Sequence, residues 1–550
     1  MRIISTGNAR RAVTAGLGLS LAIAAAFGAT PAIAETGTIT ITQQSNEGAR
    51  YDAFMLFSAD IDQNDRATRV GWADEETKAA VLDFIDGEAY GEWLAERHPG
   101  EGQHDRAQVA AEYVAEMIGT SATDEVAATT PRTVAARTFA SRLAQAIAGS
   151  GVGHELASTG TAFEGDEGFW LFVTADDTTE DHGEAGTAPI WVPLGGSASS
   201  IVEKSATPTI DKEVREDSTG EWGKVADANT AQDLDYRLTG TLPSNFGAFD
   251  LYHYKFTDTL EDGLAIDATP ETIADVITVS IDGREVEVDG EALRATYEGN
   301  VLTVEFADLK SGHWEGLGIT AASVVTVEYP CHMNGGRNIG AAGNLNGVYL
   351  TYTDDPVWLG DGRTDEVDVR VFAYKVSLRK VDEQTDEPIA GAGFTIAAEG
   401  DGNPTLYVQQ DGSLAEAPHE FVTGDDGTFE VMGLDEGAYV LSEVTVPEGW
   451  NAIDDDIALV VTSELEGESL SLAGLAATVT GGTEAHEGAA SVTGVDAVDG
   501  DAGLVTVNAT DARWLGMPAT GLGGLGPAAA LGSALAVGSG AVLAVRRRRS

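Results

Sequence analysis

The sequence predicts a mainly β chain. It reads as tandem immunoglobulin-like β-sandwiches, the first with helical insertions, between a cleaved signal peptide and a C-terminal transmembrane helix. Three observations carry this. From about residue 200 onward, short segments rich in β-branched and aromatic residues recur at sandwich-like intervals. Helical spacing of apolar residues is confined to one stretch, residues 73–148. Each end holds an apolar run with arginines beside it and no acidic residue.

At the N-terminus, Arg2, Arg10 and Arg11 precede an apolar stretch from Ala15 to Phe27, and Ala32-Ile33-Ala34 is a small-x-small cleavage site. Residues 1–34 therefore read as a secretory signal peptide. The first domain spans residues 35–200. Gly37 to Thr42 alternates as a strand, and Tyr51 to Phe57 is expected to pair with it. Ala73 to Arg97, Arg106 to Ile118 and Pro131 to Ala148 read as helices, the last opening on proline and closing at Gly149. Strands return at Gly168 to Val173 and Pro189 to Val192, and Gly195 to Ser200 is a short linker. The middle domain spans residues 201–368. Its β signals lie at Asp233–Thr241, Asp250–Thr257, Val276–Ile281, Val301–Phe306, Val324–Tyr329 and Val348–Tyr352, and Asp282-Gly283 marks a tight hairpin. The third domain spans residues 369–511. Phe372 to Val381 is its long first strand and Leu504 to Asn508 its last, while the Gly-, Ala- and acid-rich stretch 467–502 reads as a loosely ordered surface loop with weak strands.

Composition excludes several function classes. With 89 acidic against 32 basic residues the formal net charge is −57, so the chain repels nucleic acid and anionic membranes. The acidity suits a soluble secreted surface. Asp60-x-Asp62-x-Asn64 opens like a calcium loop, but Asp65 stands where glycine is needed and Gly71 where a bidentate glutamate belongs. The single cysteine, Cys331, rules out an intramolecular disulfide and a cysteine-based zinc site. There is no nucleophile elbow, no HExxH, and no strand-to-helix context for the glycines of 521–526. No metal or cofactor is expected, and nothing marks an enzyme acting on a separate substrate. Lysine is scarce: the eight are Lys78, Lys204, Lys212, Lys224, Lys255, Lys310, Lys375 and Lys380.

Residues 512–550 carry the most specific pattern. Met517-Pro518-Ala519-Thr520-Gly521 is followed by an uncharged apolar run of 24 residues, Leu522 to Val545, and by Arg546 to Arg549. Such a run crosses a hydrocarbon core of about 30 Å, with the arginines kept on the cytoplasmic side. The order resembles the cell-wall sorting signal of Gram-positive surface proteins, LPxTG, with Met517 in place of leucine. The resemblance implies that a sortase cuts between Thr520 and Gly521 and joins Thr520 to an amine.

Inside the third domain, Tyr439-Val-Leu-Ser-Glu443-Val-Thr-Val-Pro447-Glu-Gly449-Trp450 resembles the E-box of pilins with Cna B-type domains, YxLxETxAPxGY. In that family a first-strand lysine bonds to a last-strand asparagine, which points to Lys380 and Asn508 with Glu443 as proton shuttle. The chemistry is coherent. Burial lowers a lysine pKa and raises a carboxyl pKa, so a neutral amine can attack the carboxamide while a protonated acid assists and ammonia leaves. The middle domain resembles the fimbrial isopeptide-forming domain of backbone pilins. The resemblance implies Lys212 as nucleophile, Asp258 as buried acid and Asn346 as acceptor, with Asn344 as the close alternative. Each bond is expected to run from first strand to last. Backbone pilins also place a polymerising lysine at the junction before this domain, in a motif ending VYPK. Lys204, in Ile201-Val-Glu-Lys204, has the location, with Val202 and Glu203 in place of Tyr-Pro.

The chain is thus similar to a sortase-assembled backbone (major) pilin: a structural subunit and sortase substrate whose own chemistry is limited to self-crosslinking. The implied partners are a class C-type and a housekeeping sortase, further copies of the chain, ancillary pilins, peptidoglycan and host surface ligands the sequence does not name. The alternative is a wall-anchored monomeric adhesin or an ancillary pilin with the same domains.

Overall fold

A computed structural model describes residues 13–14, 36–43, 48–62, 66–119, 131–178, 185–195, 199–203, 206–334, 338–399, 405–453, 455–481, 490–496 and 503–513. Lys204, the sorting motif 517–521, the apolar run behind it and nearly all of the signal segment lie outside these. Among the described residues no helix is long and apolar enough to cross a membrane.

The first domain is built from two sheets and a helical layer. One sheet runs in the order Val13–Thr14, Ser199–Glu203, Thr36–Gln43, Ala162–Asp166. The other runs Ala67–Trp72, Arg50–Ile61, Gly168–Thr174, Ile190–Leu194, with Glu155–Ser158 also on Arg50–Ile61. The expected pairing of Thr36–Gln43 with Arg50–Ile61 is therefore corrected, since they lie in different sheets. The reason is double burial. Tyr51 and Ala53 pack with Ile39 and Ile41 of the facing sheet, while Phe54 and Leu56 on the other face pack beneath the helices. A strand covered on both sides occupies the middle layer. The helices are Glu75–Asp86, Tyr90–Arg97, Ala107–Gly119 and Pro131–Gly149. The stretch 73–97 is thus two helices. Asp74 caps the first by accepting from the Thr77 N–H at 2.7 Å, and Ala89 breaks the run with φ +60°.

The helices also meet the middle domain. Ser141 Oγ donates to the Ala248 carbonyl at 2.7 Å and Gln145 Nε2 to that of Pro356 at 3.3 Å. Trp358 Nε1 donates to Thr174 O at 2.7 Å, and Val357 is buried in the helical core.

The middle domain packs two seven-stranded sheets face to face. One runs Trp222–Gly223, Ile210–Arg215, Asp233–Thr241, Val324–Met333, Thr278–Ile281, Arg284–Val286. The other runs Val225–Asp227, Val367–Phe372, Asn344–Thr353, Tyr254–Leu260, Val301–Phe306, Leu293–Glu298. The hairpin at Asp282-Gly283 forms as expected, with Ile281 paired to Arg284 and φ of +51° and +73° at the two turn residues. Asn344–Thr353 is followed by Asp361–Arg363 and by Val367–Phe372, which pairs beside it. The amide-bearing strand is therefore not the last of its domain.

The third domain sets a four-stranded sheet, Thr428–Leu434, Tyr374–Asp382, Leu504–Asp511, Ala490–Asp496, against a seven-stranded one centred on Gly393–Ala398 and Gly437–Thr445. Its first and last strands lie side by side and parallel. The weak strands expected within 467–502 are regular ones, two in number among the described residues. Ser471–Thr480 pairs with Ile457–Glu466, and Ala490–Asp496 pairs with the last strand. Small residues hid their alternation, because alanine and glycine carry little hydrophobic contrast.

The middle and third domains meet over a cluster of carboxyls, of which Asp227 and Asp435 are buried, Glu216 and Glu436 half-buried and Asp217 exposed. Glu216, Asp217 and Asp227 on one side face Asp435 and Glu436 on the other, with Asn229, Tyr374, Tyr439 and Ser463 between them. Tyr374 donates its hydroxyl to Asp227, and Asn229 Oδ1 accepts from the Asp435 N–H at 3.3 Å. Burial first, then the charges of Asp227, Asp217 and Glu216, push Asp435 up to about 10. Burial pushes Glu216 up to about 7. An acid whose pKa is raised by folding stabilises the fold below its ordinary pKa and loses that contribution as pH rises through the folded value. The joint is expected to be tightest in mild acid and to loosen progressively from about pH 5 to pH 10. Hydrogen exchange at residues 225–230 and 433–439, corrected for intrinsic rate, should show protection falling over that window.

Candidate functional site

The middle-domain core contains a lysine that contacts no water. Lys212 lies on Ile210–Arg215, the strand next to the edge of its sheet, paired with Leu238, and its side chain is 0% exposed. The neighbouring strand across the sandwich seam is Val367–Phe372, so the amine projects toward the opposite sheet. There it donates to Asp258 Oδ1, also 0% exposed. Burial pulls the Lys212 pKa down, against the pull of the Asp258 charge. A charged pair in so dry a place carries a large desolvation cost, which favours passing the proton across to leave a neutral amine beside a neutral acid.

Asp258 is connected to an amide. The Tyr329 hydroxyl donates to Asp258 Oδ2, and Asn346 Nδ2 donates to the same hydroxyl at 2.9 Å. Leu260 pairs with Asn346 across the two strands, so Asp258 and Asn346 are diagonal neighbours on one inward face. Asn346 Oδ1 is buried without a hydrogen-bond partner among the described residues. Lys212, Asp258, Tyr329 and Asn346 thus form one chain of contacts. Asn344, two residues back on the same face, is outside it: its Nδ2 approaches Met333 Sδ at 3.6 Å, and its carboxamide fills the space that a side chain at Gly263 would occupy, 1.8 Å from an added Cβ. Cys331 lies in the same core, and burial pushes its thiol up. It is a buried neighbour of the site.

The third domain repeats the arrangement. Lys380 is 0% exposed, with Nζ 3.3 Å from Glu443 Oε1 and 3.5 Å from Asp511 Oδ2, both carboxyls equally sealed. Glu443 projects from Gly437–Thr445 on the opposite sheet, where it pairs with Phe394. Its other oxygen accepts from the Ile453 N–H at 2.7 Å. Asn508 is not brought to Lys380. In the parallel ladder Asn508 pairs with Arg379, whereas Lys380 pairs with Ala509, and paired residues share a face. The burial of Leu504–Asp511 alternates, with Val505, Val507, Ala509 and Asp511 inward and Asn508 on the other face. Strand periodicity thus places Asn508 on the face opposite Lys380.

Of the sequence-predicted residues, the structure gathers Lys212, Asp258 and Asn346 into one cluster and Lys380 with Glu443 into the other. It adds Tyr329 and Asp511, which carry no family motif. Lys204 and Met517, Pro518, Ala519, Thr520 and Gly521 fall outside the described residues. Strand Ser199–Glu203, which ends immediately before Lys204, belongs to the first domain's sheet through its parallel pairing with Thr36–Gln43, so residues 199–203 are strand and not linker. Either cluster has the parts for intramolecular amide formation: a desolvated amine, an electrophilic carbonyl group and an acid to move protons.

Residues 374–471 match the SpaA prealbumin-like fold domain. No curated protein matches the chain in sequence. The T6 backbone pilin of serotype M6 Streptococcus pyogenes, described as modular and three-domain, is similar in structure at 13% identity and TM-score 0.50, over 88% of this chain and 100% of that one. The full-length major pilin SpaD from Corynebacterium diphtheriae is 13% identical with TM-score 0.44, over 87% and 97%. BcpA, the major pilin subunit of Bacillus cereus, is 14% identical with TM-score 0.40, over 87% and 99%. The chain therefore shares its fold with the T6 backbone pilin. More particularly, residues 374–471 of its third domain match the prealbumin-like SpaA fold.

Tyr329→Phe removes the hydroxyl that serves both Asp258 and Asn346. It is expected to cost about 1–3 kcal/mol, the usual penalty of leaving buried polar groups unpaired. Denaturant unfolding of wild type and variant checks this.

Proposed function

We propose that the chain is a backbone (major) pilin, polymerised by sortase and braced by bonds it makes in itself. The observation that carries the reading is the middle-domain cluster: a fully buried lysine, a fully buried aspartate and a carboxamide in a continuous contact chain. In the proposed reaction Lys212 passes its proton to Asp258. The neutral amine attacks the Asn346 carboxamide carbon, and Asp258 delivers a proton to the departing nitrogen. An amide joins the two sheets and ammonia leaves. Lys380 and Glu443 perform the corresponding step in the third domain. Both bonds stand in for the disulfides that a chain with one cysteine cannot make.

Assembly uses the C-terminal sorting motif and a lysine at the junction of the first and middle domains. Sortase attacks the Thr520 carbonyl, the Thr520–Gly521 bond breaks, and the membrane segment is left behind. Lys204 of the next copy then attacks the thioester. Two placements support this. Lys204 directly follows the strand that closes the first domain's sheet. Arg513, anchored on Asp382 at 3.1 Å, precedes the sorting motif by only a few residues. The final copy is transferred to peptidoglycan, which makes the fibre a cell-surface structure.

Wall extracts of the native strain are expected to show a ladder of covalent multimers on denaturing gels. Lys204→Ala should collapse the ladder to a monomer band, and a ladder that survives would remove Lys204 from the role. A single band already in wild type would favour a wall-anchored monomer. Separately, Asp258→Ala should leave Lys212 and Asn346 unlinked, so that the variant's mass falls short of the mass of its own sequence by one ammonia less than wild type does. By the loop-entropy value for a closed loop of over 100 residues, the middle domain should lose about 4–5 kcal/mol of stability. Intact mass and thermal unfolding read the two effects.

A further inference from the structure

We infer that the bond of the third domain joins Lys380 to Asp511, and that it closes with loss of water. This rests on the reading that the domain cross-links itself, and it names the acceptor and the leaving group.

Three independent placements point to Asp511. The first is strand phase. Asp511 is in step with the inward Val505, Val507 and Ala509, and Ala509 is the residue paired with Lys380. The second is distance and enclosure. Asp511 Oδ2 is 3.5 Å from Lys380 Nζ, and the lysine, Glu443 and Asp511 side chains are 0%, 0% and 2% exposed. Lys380 Nζ, Glu443 Oε1 and Asp511 Oδ2 make no hydrogen bond of good geometry among the described residues, so three reactive atoms converge without being consumed by other partners. The third is fixation of the lysine. Its N–H donates to Gly427 O at 2.8 Å and its carbonyl accepts from the Ile389 N–H at 2.9 Å. Gly427 reaches this position with φ +76°, and an added Cβ would sit 2.6 Å from Lys380 O. The Phe394 ring lies 5.7 Å from Nζ on the apolar side.

The step balances without a co-reactant. Lys380 gives a proton to Glu443. The neutral Nζ attacks Cγ of Asp511 in its carboxylic acid form. The C–OH bond breaks as Glu443 gives the proton to the departing hydroxyl, and Glu443 then takes the surplus proton from nitrogen and keeps it, ending as a neutral acid. One amide forms and one water leaves. A carboxylate would not be electrophilic, so Asp511 must be protonated. Burial raises its pKa, and the opposing pull of Lys380 vanishes once that amine is neutral. Glu443 is the catalytic acid–base because it touches the reacting nitrogen. Its position is held by the Ile453 N–H on its far oxygen.

The test is a peptide map of the mature chain by tandem mass spectrometry, for wild type, Asn508→Ala, Asp511→Ala and Asp511→Asn. The expected result is a branched peptide containing Lys380 and Asp511, lighter than its two parts by one water. It should persist in Asn508→Ala and vanish in Asp511→Ala. In Asp511→Asn the same branched peptide should return with ammonia as the leaving group. A branch at Asn508 with loss of ammonia would overturn the assignment while keeping the cross-linked domain. Unbranched Lys380 in wild type would overturn both. If Asp511→Ala does not fold, the wild-type map and Asn508→Ala still decide between the two acceptors.

Discussion

A lysine amine sealed in an apolar sandwich is the constraint on which the rest of this structure depends. An ammonium there is costly unless it is paired, and in both sandwiches a carboxyl from the facing sheet reaches it. Lys212 meets Asp258 and Lys380 meets Glu443 in this way. Each pair fixes how the two sheets of its domain sit across the core, because a slide of either sheet would strand a buried charge. The same dryness that makes the pair expensive is what the proposed reaction draws on. Structure and chemistry are therefore one requirement, met twice on unrelated strand orders.

The proposed acceptors follow from where each domain brings its strands. In the middle domain the lysine strand sits beside the sandwich seam, and the amide is on a central strand of the opposite sheet, reached through Tyr329. In the third domain the first and last strands are direct parallel neighbours, and the acceptor is on the same sheet as the lysine with the acid arriving from across. A bond in the first case ties sheet to sheet, and in the second it ties the start of the domain to its end. Tension entering through Tyr374–Asp382 and leaving through Leu504–Asp511 would then bypass the strands between.

Much of this was legible in the sequence. Tandem sandwiches, the helical insertions, the hairpin at Asp282-Gly283 and the Lys212, Asp258, Asn346 set all follow from residue pattern and family resemblance, because local signals and global fold agree there. The misses have physical causes. Thr36–Gln43 and Arg50–Ile61 looked like a hairpin because adjacent strands usually pair, but double burial of the second strand sent it to the middle layer. Ser471–Thr480 was hidden by its alanines and glycines. Asn508 was chosen by chemistry, since the family uses asparagine, whereas strand phase favours another residue. In Val505-Thr-Val-Asn-Ala-Thr-Asp511 the apolar residues occupy one phase, and Asp511 shares it while Asn508 does not. Tyr329 had no such signal, because its role depends on pairing between distant strands.

The central claim is that these buried lysines end as amides, and the intact mass of the mature chain, residues 35–520, tests it most directly. The account predicts a mass below that of the sequence by one ammonia and one water together. A mass equal to that of the sequence would contradict it, leaving both lysines as free amines in cores that were not built to react.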